Sequence, residues 1–228
     1  AFETVHDREG EIVGHLARTL ARSPEPVTPE AFFESIADND DLVRADRLVR
    51  TVHAINYFAA NEGTTLFLDV DARLVSTVPD RHGYAFQRVL DAIGVPTRHV
   101  AIVLPASLLD SPLFLAAVSA QYRLRHFKVA IEAPGGSEAM VAELIDRLRL
   151  FHPDFVRLRF ESDDMAANLR NLAPALAAAE ATLVVEGVDT PARLRAALDV
   201  EGKVLLQGAA LGSVGAATRL GDLETSSP

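Results

Sequence analysis

The chain has 228 residues, 49% of them hydrophobic, and a formal net charge of −10. That is enough apolar material for one sizeable core, and the lack of cysteine excludes disulfides and thiolate metal sites. The acidic balance argues against a nucleic-acid-binding face but allows a small anion held by local cations. No apolar run approaches the roughly 18 residues of a membrane span, and no signal-peptide pattern occurs. Membrane insertion by this segment is therefore not expected, and the expected location is the cytoplasm.

The first apolar runs, "FETVH" and "EIVGHLAR", are joined by Asp7-Arg8-Glu9-Gly10. This polar turn is too short for a parallel crossover, so the two strands must form an antiparallel hairpin. Thr28-Pro29-Glu30 then reads as a helix start, with a capping hydroxyl followed by proline at the first helical position. The next helical stretch, "DLVRADRLVRTVHAINYFAAN", places Leu42, Ala45, Val49, Val52 and Ala59 near one face. Six further strand candidates follow, "TTLFLDV", "HVAIVLP", "FKVAIEA", "FVRLRF", "ATLVVEG" and "KVLLQG", alternating with amphipathic stretches. Within the last long stretch, Pro174 is expected to kink or split the helix. Eight strands in this alternation predict an α/β fold, a single (β/α)8-like TIM barrel with an antiparallel first strand. The barrel domain is expected over residues 1–220, with 221–228 a loose tail.

Barrel sites lie at the C-terminal ends of strands. Those positions hold Gly14 or His15, Asp69 and Asp71, Ile102 to Pro105, Glu132, Arg157, Glu186 and Gln207. Asp69, Glu132 and Glu186 come from three separate strands, and such a ring could hold a hard divalent cation through oxygen ligands. The alternative is a water-filled mouth whose acids are solvated or paired with Arg157. Other candidates are weaker. Seven histidines show no ligand spacing, and Gly135, Gly136 and Ser137 ahead of a helix offer a phosphate cradle that ordinary strand–helix turns also mimic. "QYRLRHFK" and "RLRLFHPDFVRLRF" are basic stripes, read as solvated faces or an interface.

The order of segments resembles the EAL domain, the (β/α)8-like phosphodiesterase domain of bacterial cyclic di-GMP (c-di-GMP) signalling, over nearly the whole chain. "VVEGVDTPARLRAAL" is similar to the family's A-E-G-V-E-T segment, "VLLQGAALG" to V-Q-G-Y-L-F, and "HPDFVRLRF" to P-D-x-I-K-I-D. "FKVAIEAPGGS" falls on the strand ending in D-D-F-G-T-G, and "LFLDVDARLV" on S-V-N-x-S-x-x-x-L. "VTPEAFFESIADNDDLVRADRLV" is similar to P-x-x-F-I-x-x-A-E and its long helix, and "VGHLAR" stands where the name-giving E-A-L-x-R belongs. An antiparallel first strand is also a property of the family's barrel.

The resemblance implies that much of the family's chemistry is missing. The motif Glu is Gly14, with Leu16 and Arg18 retained; the metal-binding Asn is Asp69. The E-x-T-E pair falls on Ile102 and Pro105, the paired aspartates on Glu132 and Ala133, and the water-positioning lysine on Arg157. Glu186 and Gln207 survive. In-line attack on a phosphodiester needs cations to activate water and neutralise developing charge, so no catalytic residues and no cofactor are expected. Three readings follow: an inactive EAL-like regulatory module acting through a protein partner or homodimer; a non-hydrolytic c-di-GMP receptor; and a divergent hydrolase using Mg²⁺ or Mn²⁺ on Asp69, Glu132 and Glu186. Arg18, Asp69, Glu132, Arg157, Glu186 and Gln207 are the candidate ligand-binding residues. A closed site predicts Arg157 within hydrogen-bond reach of Asp69, Glu132 or Glu186, with little room left for a dinucleotide phosphate.

Overall fold

The computed structural model describes residues 1–212 apart from residues 20, 23–25, 62, 79–81, 134–137 and 161–164. The chain opens with β1 (Phe2–His6) and β2 (Ile12–Ala17). Their antiparallel hairpin is fixed at both ends. At the turn, the Asp7 N–H donates to the Glu11 carbonyl, and at the open end the Arg18 N–H donates to that of Ala1. Gly10 makes the turn at φ 87°, a left-handed conformation that costs little without a Cβ.

A separate two-stranded sheet follows, β3 (Ala21–Arg22) against β4 (Pro26–Val27). Two-residue strands carry no periodicity, so the sequence pattern does not reveal them. Next come α1 (Pro29–Glu34), whose cap Thr28 accepts from the Ala31 N–H as expected, and α2 (Asn39–Phe58), capped by Asp38. The remainder alternates: β5 (Thr65–Asp69), α3 (Ala72–Thr77), α4 (Tyr84–Ala92), β6 (Val100–Leu104), α5 (Pro112–Arg123), β7 (Lys128–Glu132), α6 (Glu138–Phe151), β8 (Phe155–Arg159), α7 (Ala166–Ala178), β9 (Thr182–Glu186), α8 (Pro191–Leu198), β10 (Val204–Leu206) and α9 (Ala209–Gly212). No described helix is long and apolar enough to cross a membrane.

Eight strands close into a barrel in the order β1-β10-β9-β8-β7-β6-β5-β2. The neighbours β5/β6, β7/β8, β8/β9 and β9/β10 run parallel, whereas β1 runs antiparallel to β10, with His6 opposite Leu206. This is the α/β barrel with an antiparallel first strand that the alternation predicts. The described residues group into two compact halves, one of Ala1–Glu3 with His15–Val129, the other of Thr4–Gly14 with the chain from Ala130 onward. In the first half the core is built on Leu66, Leu68 and the wholly buried β6. In the second it is built on Ile131, Val156, Leu158, Leu183 and Val185. Near-continuous apolar runs of this kind are what strands covered on both faces require.

Two expectations need correction. The buried face of α2 is Leu42, Asp46, Arg50, Ala54 and Tyr57. Of the residues expected there, Val52 is exposed, and Ala59 is exposed beyond the last helical residue. The sequence pattern counts Asp46 and Arg50 as polar. Four apart on the helix, they pair and enter the interior together, with the Arg50 guanidinium 5.2 Å above the Phe86 ring. Burial raises the Asp46 carboxyl above its ordinary value, and Arg50 opposes that rise. The second correction concerns Pro174, expected to kink or split its helix: of the two, the split does not occur, and α7 runs from Ala166 to Ala178 with the proline inside it.

Candidate functional site

Parallel register assembles the site in the second half. Glu132 of β7 stands opposite Arg157 of β8, and Arg159 of β8 opposite Glu186 of β9. Side chains alternate along a strand, so Arg157 and Arg159 share a face and these two register pairs bring all four charged groups together. Arg157 Nε lies 3.0 Å from Glu186 Oε1, and Arg157 Nη2 donates to Glu132 Oε1 at 3.3 Å. Arg159 Nη2 donates to Glu186 Oε2 at 3.0 Å. Glu186 is thus held between two guanidiniums, one at each oxygen.

Burial divides the four. The side chains of Arg157 and Glu186 are 8% and 2% exposed, those of Glu132 and Arg159 44% and 58%. An unpaired carboxylate as deeply buried as Glu186 would be costly, and the Arg157 fork supplies the compensating charge. Of the three acids expected within reach of Arg157 (Asp69, Glu132 and Glu186), the structure places the last two beside it. Gln207 follows β10, and its Oε1 accepts from the Gly187 N–H at 3.3 Å. This binds the ends of β9 and β10 through a side chain.

Arg18 and Asp69 belong to the other half. Arg18 Nε donates to Glu3 Oε2 at 2.9 Å, and its Nη1 lies 3.7 Å from Asp69 Oδ2. The side chains of Asp69 and Glu3 are about half exposed, so this cluster is solvated where the Arg157 cluster is buried. Beside it, the His53 imidazole is pushed below its ordinary pKa, first by burial and then by the Ala1 ammonium, with Asp69 opposing.

The remaining strand-end positions carry other functions or no donor. Asp71 caps α3, accepting from the Arg73 and Leu74 N–H groups. His15 Nδ1 lies 2.9 Å from the Tyr57 hydroxyl, which in turn contacts Thr64 Oγ1 at 2.6 Å. Gly14 and Ile102 are buried without polar side-chain atoms, and Ala133 gives only its backbone N–H, to the Arg157 carbonyl at 2.7 Å. Among the described residues, no three His, Asp or Glu side chains gather where a metal ion could be held. Gly135, Gly136 and Ser137 lie outside the described residues. In the sequence Arg159 stands only as part of a basic stripe. The period-2 pattern of "VRLRF" was the signal that puts it beside Arg157.

No protein-family model matches the chain, and no curated protein does. Solved structures do match, over nearly all of its length. One is the Bacillus subtilis YkuI protein, with an EAL domain, in complex with substrate c-di-GMP and calcium: 20% identity, TM-score 0.74, covering 92% of this chain and 53% of that one. The fold is EAL-like. Klebsiella pneumoniae BlrP1, solved as a calcium and c-di-GMP complex, gives 22% identity and TM-score 0.75 over 91% of this chain and 53% of that one. The EAL domain of Xanthomonas citri FimX in complex with c-di-GMP gives 19% and 0.69 over 91% of this chain and 83% of that one. The chain spans about half the length of the YkuI and BlrP1 structures it matches. Likeness at this identity establishes the EAL-like architecture.

Proposed function

We propose that this EAL-like barrel is a cytoplasmic regulatory module that does not hydrolyse c-di-GMP and acts through contact with a protein partner or a second copy of itself. The single observation that carries the reading is the seat of Arg157, whose guanidinium contacts both Glu132 and Glu186. A divalent cation would have to take these carboxylates from a fixed, permanently charged fork. Asp69 also has an arginine beside it, and Gly14, Ile102 and Ala133 offer no side-chain oxygen. The residues present therefore do not fit a two-cation cage, and without one a phosphodiester lacks both water activation and charge neutralisation. Protein contact is supported by α2, where Leu48, Val52 and Ile55 are exposed at helical spacing on one face.

A second reading, binding of c-di-GMP without cleavage, is favoured by the complexes in which the YkuI, BlrP1 and FimX structures were solved. It also fits the retained Arg18, Glu186 and Gln207. Purified protein incubated with c-di-GMP and Mg²⁺ or Mn²⁺ separates the readings. No product is expected. Turnover that Glu186→Ala abolishes would refute the proposal in favour of a divergent hydrolase, and calorimetric binding without turnover would favour the receptor. Light scattering on the pure protein reads whether a second copy is the partner.

A further inference from the structure

The basic stripe "QYRLRHFK" closes α5 and opens β7, and it contributes nothing to the Arg157 cluster. The unbroken stretch from Tyr84 to Lys128 holds five Lys and Arg against two acids, together with His99 and His126, in a chain whose formal charge is −10. The remainder of the chain is thus more acidic than the whole. Neither acid of the stretch neutralises its basic end. Asp91 lies three residues after Arg88 on α4, the spacing of a helical charge pair. Asp110 follows β6 whereas Arg98 and His99 precede it, and a five-residue strand spans about 17 Å, roughly twice the screening length.

Folding draws the basic groups together at the ends of the strands opposite to those where barrels hold their ligands. Thr97 Oγ1 donates to the Arg125 carbonyl at 2.7 Å, which ties the turn carrying Arg98 to the end of α5. The Arg125 guanidinium stands 5.9 Å from the centre of the Tyr84 ring, and its Nη1 donates to the Gln121 carbonyl at 2.7 Å. Arg98 is exposed and makes no ion pair among the described residues. The His99 imidazole registers the local positive charge: burial lowers its pKa first, and Arg98 and Lys128 lower it further. Cations at a helix C-terminus serve its dipole, which accounts for Arg125 but not for Arg98, which lies on no α-helix. Leu124, next to Arg125, is 77% exposed, and Tyr84 is exposed as well. Arginine and tyrosine are the side chains that protein contacts favour.

We propose that Arg98 and Arg125, with Tyr84 and Leu124, form a docking surface for an acidic segment of a partner protein that brings an apolar side chain to Leu124. An anionic membrane is the poorer occupant. Screening confines the field of the patch to about 8 Å. A short segment meets that field alone, whereas a membrane plane also faces the acidic remainder of the chain. The surface gives the regulatory reading a partner chemistry and rests on that reading for its use.

The test is fluorescence anisotropy of a labelled Glu-rich peptide with interspersed leucines, titrated with the whole chain. Saturable binding that weakens with salt is expected, reduced about tenfold or more in Arg98→Glu and in Arg125→Glu, and less in Leu124→Ser. Arg44→Glu, on α2, should leave it unchanged. In the unmutated protein the peptide should shift the backbone amide resonances of Arg98, Leu124 and Arg125, a readout that needs no variant to fold. Absence of saturable binding, or an affinity unchanged in Arg98→Glu, overturns the proposal. So does equal weakening in Arg44→Glu, which would seat the peptide on α2. Sedimentation with phosphatidylserine–phosphatidylcholine vesicles in place of peptide binding would assign the patch to a membrane and overturn it too. Turnover enters none of these readouts, so this test and the hydrolysis assay fail independently.

Discussion

The two halves of the barrel each place an arginine among acids at their strand ends, and they do so in opposite dielectric settings. Arg18 bridges Glu3 and Asp69 where all three reach solvent. Arg157 bridges Glu132 and Glu186 with its own fork and Glu186 both buried. Equal chemistry therefore has unequal consequences. Water screens the first cluster and can replace any partner that is removed, whereas in the second the buried Arg157 and Glu186 charges lean on each other, and removing one leaves the other poorly compensated.

The largest expected effect tests the buried cluster. Arg157→Ala should lower unfolding free energy by about 3–5 kcal/mol, the cost of stranding a buried charge, read from urea denaturation midpoints at constant slope. A loss below about 1 kcal/mol would mean that Glu186 finds water. The double change Arg157→Met with Glu186→Leu sharpens the point. Removing both charges together should recover most of that loss, since apolar isosteres of a buried pair are often neutral. Arg18→Ala, in the solvated cluster, should cost only about 0–1 kcal/mol and less at high salt.

The smallest effect is a pH dependence beside Arg18. The folded state depresses the His53 pKa, mainly by burial. It therefore binds the imidazole proton less tightly than the unfolded chain does. The stability this contributes is complete above the unfolded value of about 6.5 and is lost as pH falls through the folded value. His99, depressed first by burial and then by Arg98 and Lys128, acts with the same sign. Melting temperatures at pH 7.5 and 5.5 should converge in His53→Gln relative to the unmutated chain. An unchanged difference would remove His53 from this account.

How much of the site was legible varies residue by residue. The strand-end placement of Glu132, Arg157 and Glu186 follows from apolar runs that stop at those residues, because a parallel strand covered on both faces must be apolar until it reaches an end. Arg159 was legible only as one member of a stripe. Its contact with Glu186 depends on β8 and β9 pairing in one register, and a shift of one residue would turn it to the other face. Glu3 as a partner of Arg18 required the hairpin to bring residues 3 and 18 together.

From sequence alone came the eight strands, the hairpin start, the Thr28 cap and the missing oxygen donors at Gly14, Ile102 and Ala133. These are local properties: hydrophobic period, loop length and side-chain chemistry are written within a few residues. Tertiary structure alone decided which face of α2 turns inward, and that Glu186 is shared between two arginines. Both outcomes depend on charges far too costly to bury singly and tolerable once paired. Whether a pair forms is a matter of what packing brings within about 3 Å, which a hydrophobic pattern does not encode.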